Sequence, residues 1–166
     1  MSEPKELKLP DAAIVVGEAL SRCHISGKNV AIYFHASWCP WCVKFEHLWT
    51  QSALAAPLKD AYEFVLLNVR DRSPEQNHEH PGWRQLMQEY RGSSALDVPF
   101  LAILNADGLV IAKSYEPANG NIPSNAGYPV TETELDQFID LIASTATDFP
   151  SEYLQVLRLL LERPSI

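Results

Sequence analysis

Two cysteines three positions apart, Cys39 and Cys42, stand where a predicted strand ends and a predicted helix begins, and this junction constrains the fold more than any other feature. The preceding stretch "NVAIYFHA", residues 29–36, is short, apolar and rich in β-branched and aromatic residues, as is typical of a buried strand. Pro40 then occupies the position where proline suits the first turn of a helix. The sequence therefore predicts that both cysteines lie at one end of a sheet.

Helical and strand patterns alternate along the rest of the chain. Asp11 and Gly27 are expected to cap the first helix. Pro57 should kink or restart the helix that follows the cysteines, and Thr131 with Glu134 forms a capping box. The predicted elements are helix 11–24, strand 29–36, a helix from Pro40 with the inward stripe Cys42, Phe45, Trp49, Ala53 and Ala56, strand 62–69, helix 82–90, strands 99–105 and 109–115, helix 132–145 and helix 150–162.

The order of these elements indicates the fold class. Strands separated by helices favour parallel pairing. The Asp107-Gly108 step between the last two strands predicts a hairpin, which adds an antiparallel edge. We therefore expect an α/β fold with a central mixed sheet flanked by helices. One domain is expected over 1–166, with a core at about 10–145 and an extra C-terminal helix in an extension at about 148–163.

The bulk properties exclude several classes of protein. The chain has 166 residues, of which 46% are hydrophobic and 20% charged, and these are globular values. Its formal net charge of −8 repels phosphate backbones, so nucleic acid is not an expected partner. No apolar run is long enough for a membrane span, and the N-terminus lacks the regions of a signal peptide. We expect a cytoplasmic monomer, with a periplasmic location as the alternative if a signal peptide has been removed.

Four kinds of chemistry use two cysteines at this spacing. Haem attachment needs a histidine directly after the second cysteine, and Val43 stands there instead. A structural zinc ion needs four ligands, and only His78 and His80, at an unusual spacing, could complete the set. A structural disulfide between positions so close together removes little chain entropy. A redox pair fits best, no metal is expected, and the third cysteine, Cys23, is expected to be a buried small hydrophobe.

The expected position of Cys39 favours a reactive thiolate. At the start of a helix, the free N–H groups of Trp41 and Cys42 and the helix dipole favour negative charge on its sulfur. Such placement lowers a cysteine pKa from about 8.5 into the range of about 3.5–7.5. Cys39 would attack a substrate disulfide, and Cys42, one turn into the helix and less exposed, would resolve the mixed disulfide. No cofactor is expected besides the Cys39–Cys42 pair itself.

The segments "ASWCPWC", residues 36–42, and "DVPFLAILNADG", residues 97–108, resemble the active site and the cis-proline strand of the thioredoxin family. The two segments stand in the family's order, and the resemblance covers residues 10–145. The loop "GNIPSNAGYP" and the helix "FIDLIAS" are similar to those of bacterial thioredoxin-like proteins near the thiol–disulfide interchange branch. The resemblance implies a thioredoxin fold, with Cys39 as the nucleophile and Cys42 as the resolving thiol.

The resemblance also implies a substrate-binding surface. Pro99 takes the place of the family's cis-proline beside the cysteines, and Val98 would then offer a free backbone edge on which a substrate strand can pair. Trp38, directly before the first cysteine, and Pro40 and Trp41, between the two cysteines, complete the expected surface. Trp38 matches the family as a packing wall, and Trp41 is expected to be exposed.

Two positions depart from the family pattern. Thioredoxins carry a buried aspartate six residues before the first cysteine, where this chain has Tyr33, and a partner lysine on the following strand, where it has Leu66. The family's usual proton acceptor for the resolving cysteine is thus missing. His35, Lys44 and Glu46 are titratable groups nearby, but a packed histidine explains His35 equally well, and the sequence assigns no base.

The leading hypothesis is a thiol–disulfide oxidoreductase that acts on protein disulfides, with an unidentified electron donor or acceptor. Pro40 and Trp41 between the cysteines also resemble the glutaredoxin motif, which makes a glutathione-dependent reductase an alternative. A non-catalytic thioredoxin-fold adaptor or binding module is a further alternative, against which the intact cysteine pair argues. Partner selectivity is expected from residues 93–98 and from the long loop 116–130, where Tyr128 offers an aromatic contact.

Overall fold

The computed structural model describes residues 8–74, 77–114 and 127–163. Ten helices and strands lie within these ranges. They are α1 (Ala12–Ser26), β1 (Asn29–His35), α2 (Pro40–Thr50), α3 (Ala55–Ala61), β2 (Tyr62–Asn68), α4 (Trp83–Arg91), β3 (Phe100–Leu104), β4 (Val110–Lys113), α5 (Glu132–Thr145) and α6 (Tyr153–Glu162). Among the described helices, none has both the length and the hydropathy that a bilayer crossing demands.

The four strands form a mixed sheet in the order β2-β1-β3-β4, which confirms the predicted architecture. β1 and β2 are parallel, and β3 and β4 form the predicted antiparallel hairpin. The parallel pairing expected for strands separated by a helix is wrong for β3, which runs antiparallel to β1. After α4 the chain re-enters the sheet at the end where β1 finishes, so Phe100 pairs with Phe34 and β3 runs back along β1.

Helices cover both faces of the sheet, and the alternation of side chains along β1 creates two cores. Val30, Ile32 and Phe34 face one core, which α1 and α4 cover. Ala31 and Tyr33 face the other, which α2, α3, α5 and α6 cover. Alternate residues of β1 therefore contribute to different cores. Every residue from Val30 to His35 is buried, as a strand between two helical layers requires.

The helix after the cysteines is shorter than the apolar stripe predicts. It ends at Thr50, and the predicted inward positions Ala53 and Ala56 are exposed. Leu54 and Leu58 fill the core instead. The chain restarts as α3 with Pro57 in its first turn, where the missing N–H of proline costs no intrahelical bond.

The capping predictions are confirmed at both ends of the chain. The Asp11 carboxylate accepts the Ala13 N–H at 2.9 Å, and α1 ends at Gly27 in the left-handed conformation. At α5 the Glu134 N–H donates to the Thr131 hydroxyl at 3.2 Å. Residues 115–126, which make up most of the predicted specificity loop, lie outside the described residues.

Candidate active site

Cys39 lies at the N-cap of α2, as predicted. β1 ends at His35, the Cys39 N–H donates to the Ala36 carbonyl at 3.1 Å across the following turn, and Pro40 is the first residue of α2. The Cys39 backbone is extended, and its Sγ accepts a hydrogen bond from the Cys42 N–H at 3.2 Å. The sulfur therefore takes the place that a serine or aspartate oxygen occupies at other helix N-termini.

These contacts make Cys39 the more acidic of the paired thiols. A hydrogen bond from the Cys42 side chain lowers the pKa of Cys39 to about 7 against the opposing effect of burial. The backbone N–H groups of Cys42 and Trp41 and the charge of Arg70 lower the pKa further. Because the thiolate is the nucleophile, Cys39 is suited to attack a disulfide near neutral pH.

Cys42 lies one turn deeper in the protein. Its side chain is 0% exposed, whereas that of Cys39 is 5% exposed. Burial raises the pKa of the Cys42 thiol far above its ordinary value, and the hydrogen bond to Cys39 raises it further. Both thiols are free, so the pair is in its reduced form. An open, largely apolar cavity of about 420 Å³ lies beside Cys39, and its lining is Ser37, Trp38, Cys39, Pro40, Val43 and Lys44.

Val98 lies against Cys39, although the two residues are distant in sequence. The Cys39 Sγ is 3.8 Å from the Val98 carbonyl oxygen. The Val98–Pro99 peptide bond is cis. The Pro99 carbonyl accepts the Gly127 N–H at 2.8 Å, so the chain approaching α5 passes directly over this segment. The fold thus brings the two segments that carry the thioredoxin resemblance into contact.

Arg91, which no motif in the sequence marks, fixes the segment before Pro99. Its side chain is buried and donates to the carbonyl oxygens of Ala95 at 2.7 Å and Asp97 at 2.8 Å. Its guanidinium also lies 4.3 Å from the centre of the Phe100 ring. An arginine in the last turn of a polar helix is usually exposed. Nothing in the sequence therefore predicted that Arg91 is buried and holds this segment.

The two tryptophans that flank the cysteines differ in their surroundings. Trp38 is a packing wall, as expected: its indole N–H donates to the Arg70 carbonyl at 2.7 Å, and the Arg72 guanidinium lies 3.4 Å from its ring centre. The expected exposure of Trp41 is wrong, because it is partly buried with its ring centre 4.9 Å from that of Tyr128. Tyr128 itself is 2% exposed, so it supports Trp41 rather than offering a contact to a partner.

Polar groups on β1 and α2 meet beside Cys42. Tyr33 pairs with Leu66 in the register of β1 and β2, so the two positions predicted to depart from the family pattern are neighbours in the sheet. The Tyr33 hydroxyl donates to the Cys42 carbonyl oxygen and lies 3.3 Å from Nδ1 of His35. The opposite ring nitrogen of His35, Nε2, is 3.4 Å from a carboxylate oxygen of Glu46. Polar groups therefore face both ring nitrogens of His35, which is not the environment of a histidine that only fills space.

Cys23 and His80 are both buried and have structural roles. Cys23 is 1% exposed on α1, and burial raises the pKa of its thiol. Its burial agrees with the expected small hydrophobe. His80, considered above as a zinc ligand, is buried and accepts the Asn68 N–H at 2.9 Å through Nδ1, so it holds the loop that follows β2.

The model of the thioredoxin-like family matches residues 12–106, which is more than half of the chain. A disulphide isomerase from Xylella fastidiosa Temecula1 shares 17% identity and a TM-score of 0.54, over 86% of this chain and 99% of that chain. The C-terminal domain of DsbD from Neisseria meningitidis shares 19% identity and a TM-score of 0.43, over 84% and 99%. A thioredoxin from Wuchereria bancrofti shares 22% identity and a TM-score of 0.42, over 75% and 86%. No curated protein matches the sequence.

Proposed function

The chain belongs to the thioredoxin-like family, and from that premise we propose that it is a thiol–disulfide oxidoreductase acting on protein disulfides through Cys39 and Cys42. One observation carries the proposal. The Cys39 sulfur sits at a helix N-terminus, where the Cys42 N–H and thiol lower its pKa to about 7, and the second thiol lies one turn away. A nucleophile and a resolving group in this arrangement are what disulfide exchange requires.

The proposed reaction transfers two electrons from the thiol pair to the substrate. The Cys39 thiolate attacks one sulfur of the substrate disulfide, and the other substrate sulfur leaves as a thiolate. Cys42 then attacks the Cys39 sulfur, which releases the second substrate thiolate and leaves a Cys39–Cys42 disulfide. An external thiol donor returns the pair to the dithiol form, and no cofactor takes part.

The surface beside Cys39 supports a protein substrate. The cavity next to the sulfur is lined mainly by apolar groups, including Trp38, Pro40 and Val43, which suit an apolar segment of a partner. The Val98 carbonyl faces the same sulfur and is an acceptor that an extended substrate chain can use. Together these features favour a polypeptide next to the scissile disulfide over a small soluble thiol.

Reduction of insulin with dithiothreitol as donor tests the proposal. The wild type should accelerate reduction, and Cys39→Ser should fall to the rate of dithiothreitol alone because the nucleophile is lost. Cys42→Ser should accumulate a mixed disulfide that is visible by mass spectrometry. Cys23→Ser is the matched control and should keep the wild-type rate.

Full activity in Cys39→Ser would refute the proposal. A parallel assay with glutathione and glutathione reductase separates the alternatives. Turnover that depends on glutathione would favour the glutaredoxin-like reaction. An inactive wild type with an intact fold would favour the adaptor.

A further inference from the structure

The Cys42 thiol is buried at the point in the reaction where it must lose a proton. This inference rests on the proposed function, in which Cys42 attacks the Cys39 sulfur as a thiolate. The Cys42 side chain is 0% exposed and belongs to the hydrophobic core. Since solvent does not reach the sulfur, the proton has to pass to a neighbouring side chain.

A continuous series of polar groups leads from this thiol to the surface. The Tyr33 hydroxyl lies against Cys42, where it donates to the carbonyl oxygen and lowers the pKa of the thiol, and it is 3.3 Å from Nδ1 of His35. His35 Nε2 is 3.4 Å from Oε2 of Glu46. Tyr33 is 0% exposed and His35 is 6% exposed, whereas the Glu46 side chain is 39% exposed. The series therefore runs from the buried core to solvent.

Two periodicities bring these four residues together. Tyr33 and His35 are two apart on β1, so they point to the same face of the sheet. Cys42 and Glu46 are four apart on α2, so they lie one above the other on the helix. The packing of that helix on that face of the sheet puts all four side chains side by side.

Glu46 determines which nitrogen of His35 carries the hydrogen. A carboxylate accepts hydrogen bonds and does not donate them, so the ring nitrogen that faces it, Nε2, is the N–H. In neutral imidazole the other nitrogen, Nδ1, then has a free lone pair. That lone pair is 3.3 Å from the Tyr33 hydroxyl oxygen, close enough to accept the hydroxyl hydrogen once it leaves the Cys42 carbonyl oxygen.

We propose that Tyr33 relays the proton of Cys42 to His35, which Glu46 orients, when Cys42 resolves the mixed disulfide. The Tyr33 hydroxyl turns from the Cys42 carbonyl oxygen, to which it donates at rest, towards Nδ1 of His35. The thiol proton then passes to the Tyr33 oxygen as the Tyr33 hydroxyl proton passes to Nδ1. The Cys42 sulfur bonds to the Cys39 sulfur, and the substrate sulfur leaves with the electron pair of the broken bond. His35 then holds the proton as an imidazolium paired with Glu46.

The surroundings of His35 provide an exit for the proton. His35 lines a cavity of about 290 Å³ together with Asp71 and His78 from the loop that follows β2. Burial lowers the pKa of His35, against the opposing effect of Glu46, so the ring is neutral and able to accept at neutral pH. Burial also raises the pKa of Tyr33, with smaller contributions from Cys42, Cys39 and Glu46, so the hydroxyl passes a proton on rather than resting as a phenolate.

The relay can be tested with 5,5′-dithiobis(2-nitrobenzoate) in a stopped-flow spectrophotometer. The first release of nitrothiobenzoate reports the attack of Cys39, and the second reports the attack of Cys42 on the mixed disulfide. The second step is intramolecular, so its rate does not depend on reagent concentration, which separates it from any reaction of Cys23. The two phases therefore test the proposed function and the relay separately.

Tyr33→Phe should slow the second phase by about 100-fold and leave the first phase unchanged, because a relay of this kind contributes general acid–base catalysis. His35→Asn should have the same effect. The matched control is Tyr62→Phe, which removes the hydroxyl of another buried tyrosine, hydrogen-bonded to Thr145 at 2.6 Å. This control should leave both phases at the wild-type rates.

The pH profile of the second phase distinguishes the relay from a structural effect. The wild-type rate should be constant at neutral pH and fall only below 6.5, the ordinary pKa of histidine, because imidazolium cannot accept the proton. Tyr33→Phe and His35→Asn should instead rise continuously with pH, since the thiol must then lose its proton unassisted. Glu46→Gln removes the charge that raises the pKa of His35, so it should move the fall to lower pH.

An unchanged second phase and pH profile in Tyr33→Phe would overturn the relay, as would equal slowing in Tyr62→Phe. If Tyr33→Phe is unfolded by circular dichroism, His35→Asn and Glu46→Gln decide the question by the same profiles. Absence of the first phase in the wild type would overturn the proposed function and the relay with it.

Discussion

Cys39 and Cys23 carry the same side chain, and their surroundings give them opposite chemistry. Cys39 caps a helix and receives hydrogen bonds that lower its pKa to about 7. Cys23 lies within α1 against the core, where burial raises its pKa. Both side chains are nearly inaccessible, at 5% and 1% exposure, so ionisation decides which one reacts more than exposure does.

Alkylation of the reduced protein by iodoacetamide should therefore depend on pH at Cys39 and remain slow at Cys23. The fraction of Cys39 thiolate grows as pH rises through about 7, so its labelling should increase about tenfold from pH 6 to pH 8 and then level off. Mass spectrometry of the labelled peptides measures both sites. Cys23 labelled as fast as Cys39, or a Cys39 rate that still climbs steeply above pH 8, would contradict the assignment.

Local sequence patterns predicted the placement of Cys39. The features that they did not predict depend on packing between distant parts of the chain. A strand followed by Cys-Pro is enough to place the sulfur at a helix N-cap. The partial burial of Trp41 depends on Tyr128, which arrives from a distant part of the chain. The contacts of Arg91 with the 93–98 carbonyls depend in the same way on how α4 packs. No periodicity along the sequence encodes such contacts.

Among the contacts between elements, the chain that leads into α5 passes so close to Pro99 that only glycine fits at position 127. A Cβ at Gly127 would lie 2.7 Å from the Pro99 carbonyl oxygen and 2.5 Å from the Ser114 hydroxyl. Ser114 is itself buried, and its hydroxyl accepts the Leu101 N–H at 3.1 Å. Neither neighbour can move without disturbing β3.

Gly127→Ala should destabilise the protein by about 1–3 kcal/mol, because overpacking forces the backbone to shift. The matched control is Gly17→Ala in the middle of α1, where an added Cβ meets nothing within 4 Å. Alanine should stabilise that helix by about 0.5–1 kcal/mol. Urea denaturation of both variants measures the two free energies of unfolding. A neutral Gly127→Ala would show that the chain does not pack tightly over Pro99.

Helix caps and turns were the elements most accessible from sequence. Asp11, Gly27 and Thr131 each act within a few residues, so their effects could be predicted. The end of α2 could not, because alanines at 53 and 56 continue the apolar stripe and no glycine marks the stop. The direction of β3 also depends on where the chain re-enters the sheet, which a helix between two strands does not determine.

On the scale of the whole molecule, two helical layers enclose one mixed sheet and leave the end of β1 for chemistry. The fold class could be predicted from the order of the elements and from the motifs around Cys39 and Pro99, because the two motifs must come together to form an active site. The network of Tyr33, His35 and Glu46 could not be predicted from these features. The sequence placed its members on β1 and α2, but only the packing of the helix on the sheet shows that they touch.

The reduction potential of the Cys39–Cys42 pair shows whether these two thiols act as a redox couple. A Cys39 pKa of about 7 stabilises the dithiol form moderately, so the potential should lie at about −200 to −270 mV, between glutaredoxins and thioredoxin. Equilibration in glutathione buffers, followed by acid quenching and mass spectrometry, gives the oxidised fraction. A two-electron transition in this range that Cys23→Ser retains and Cys42→Ser loses is the predicted result. Failure to form the disulfide would contradict the proposed reaction, and a potential near about −120 mV would contradict a moderately stabilised thiolate.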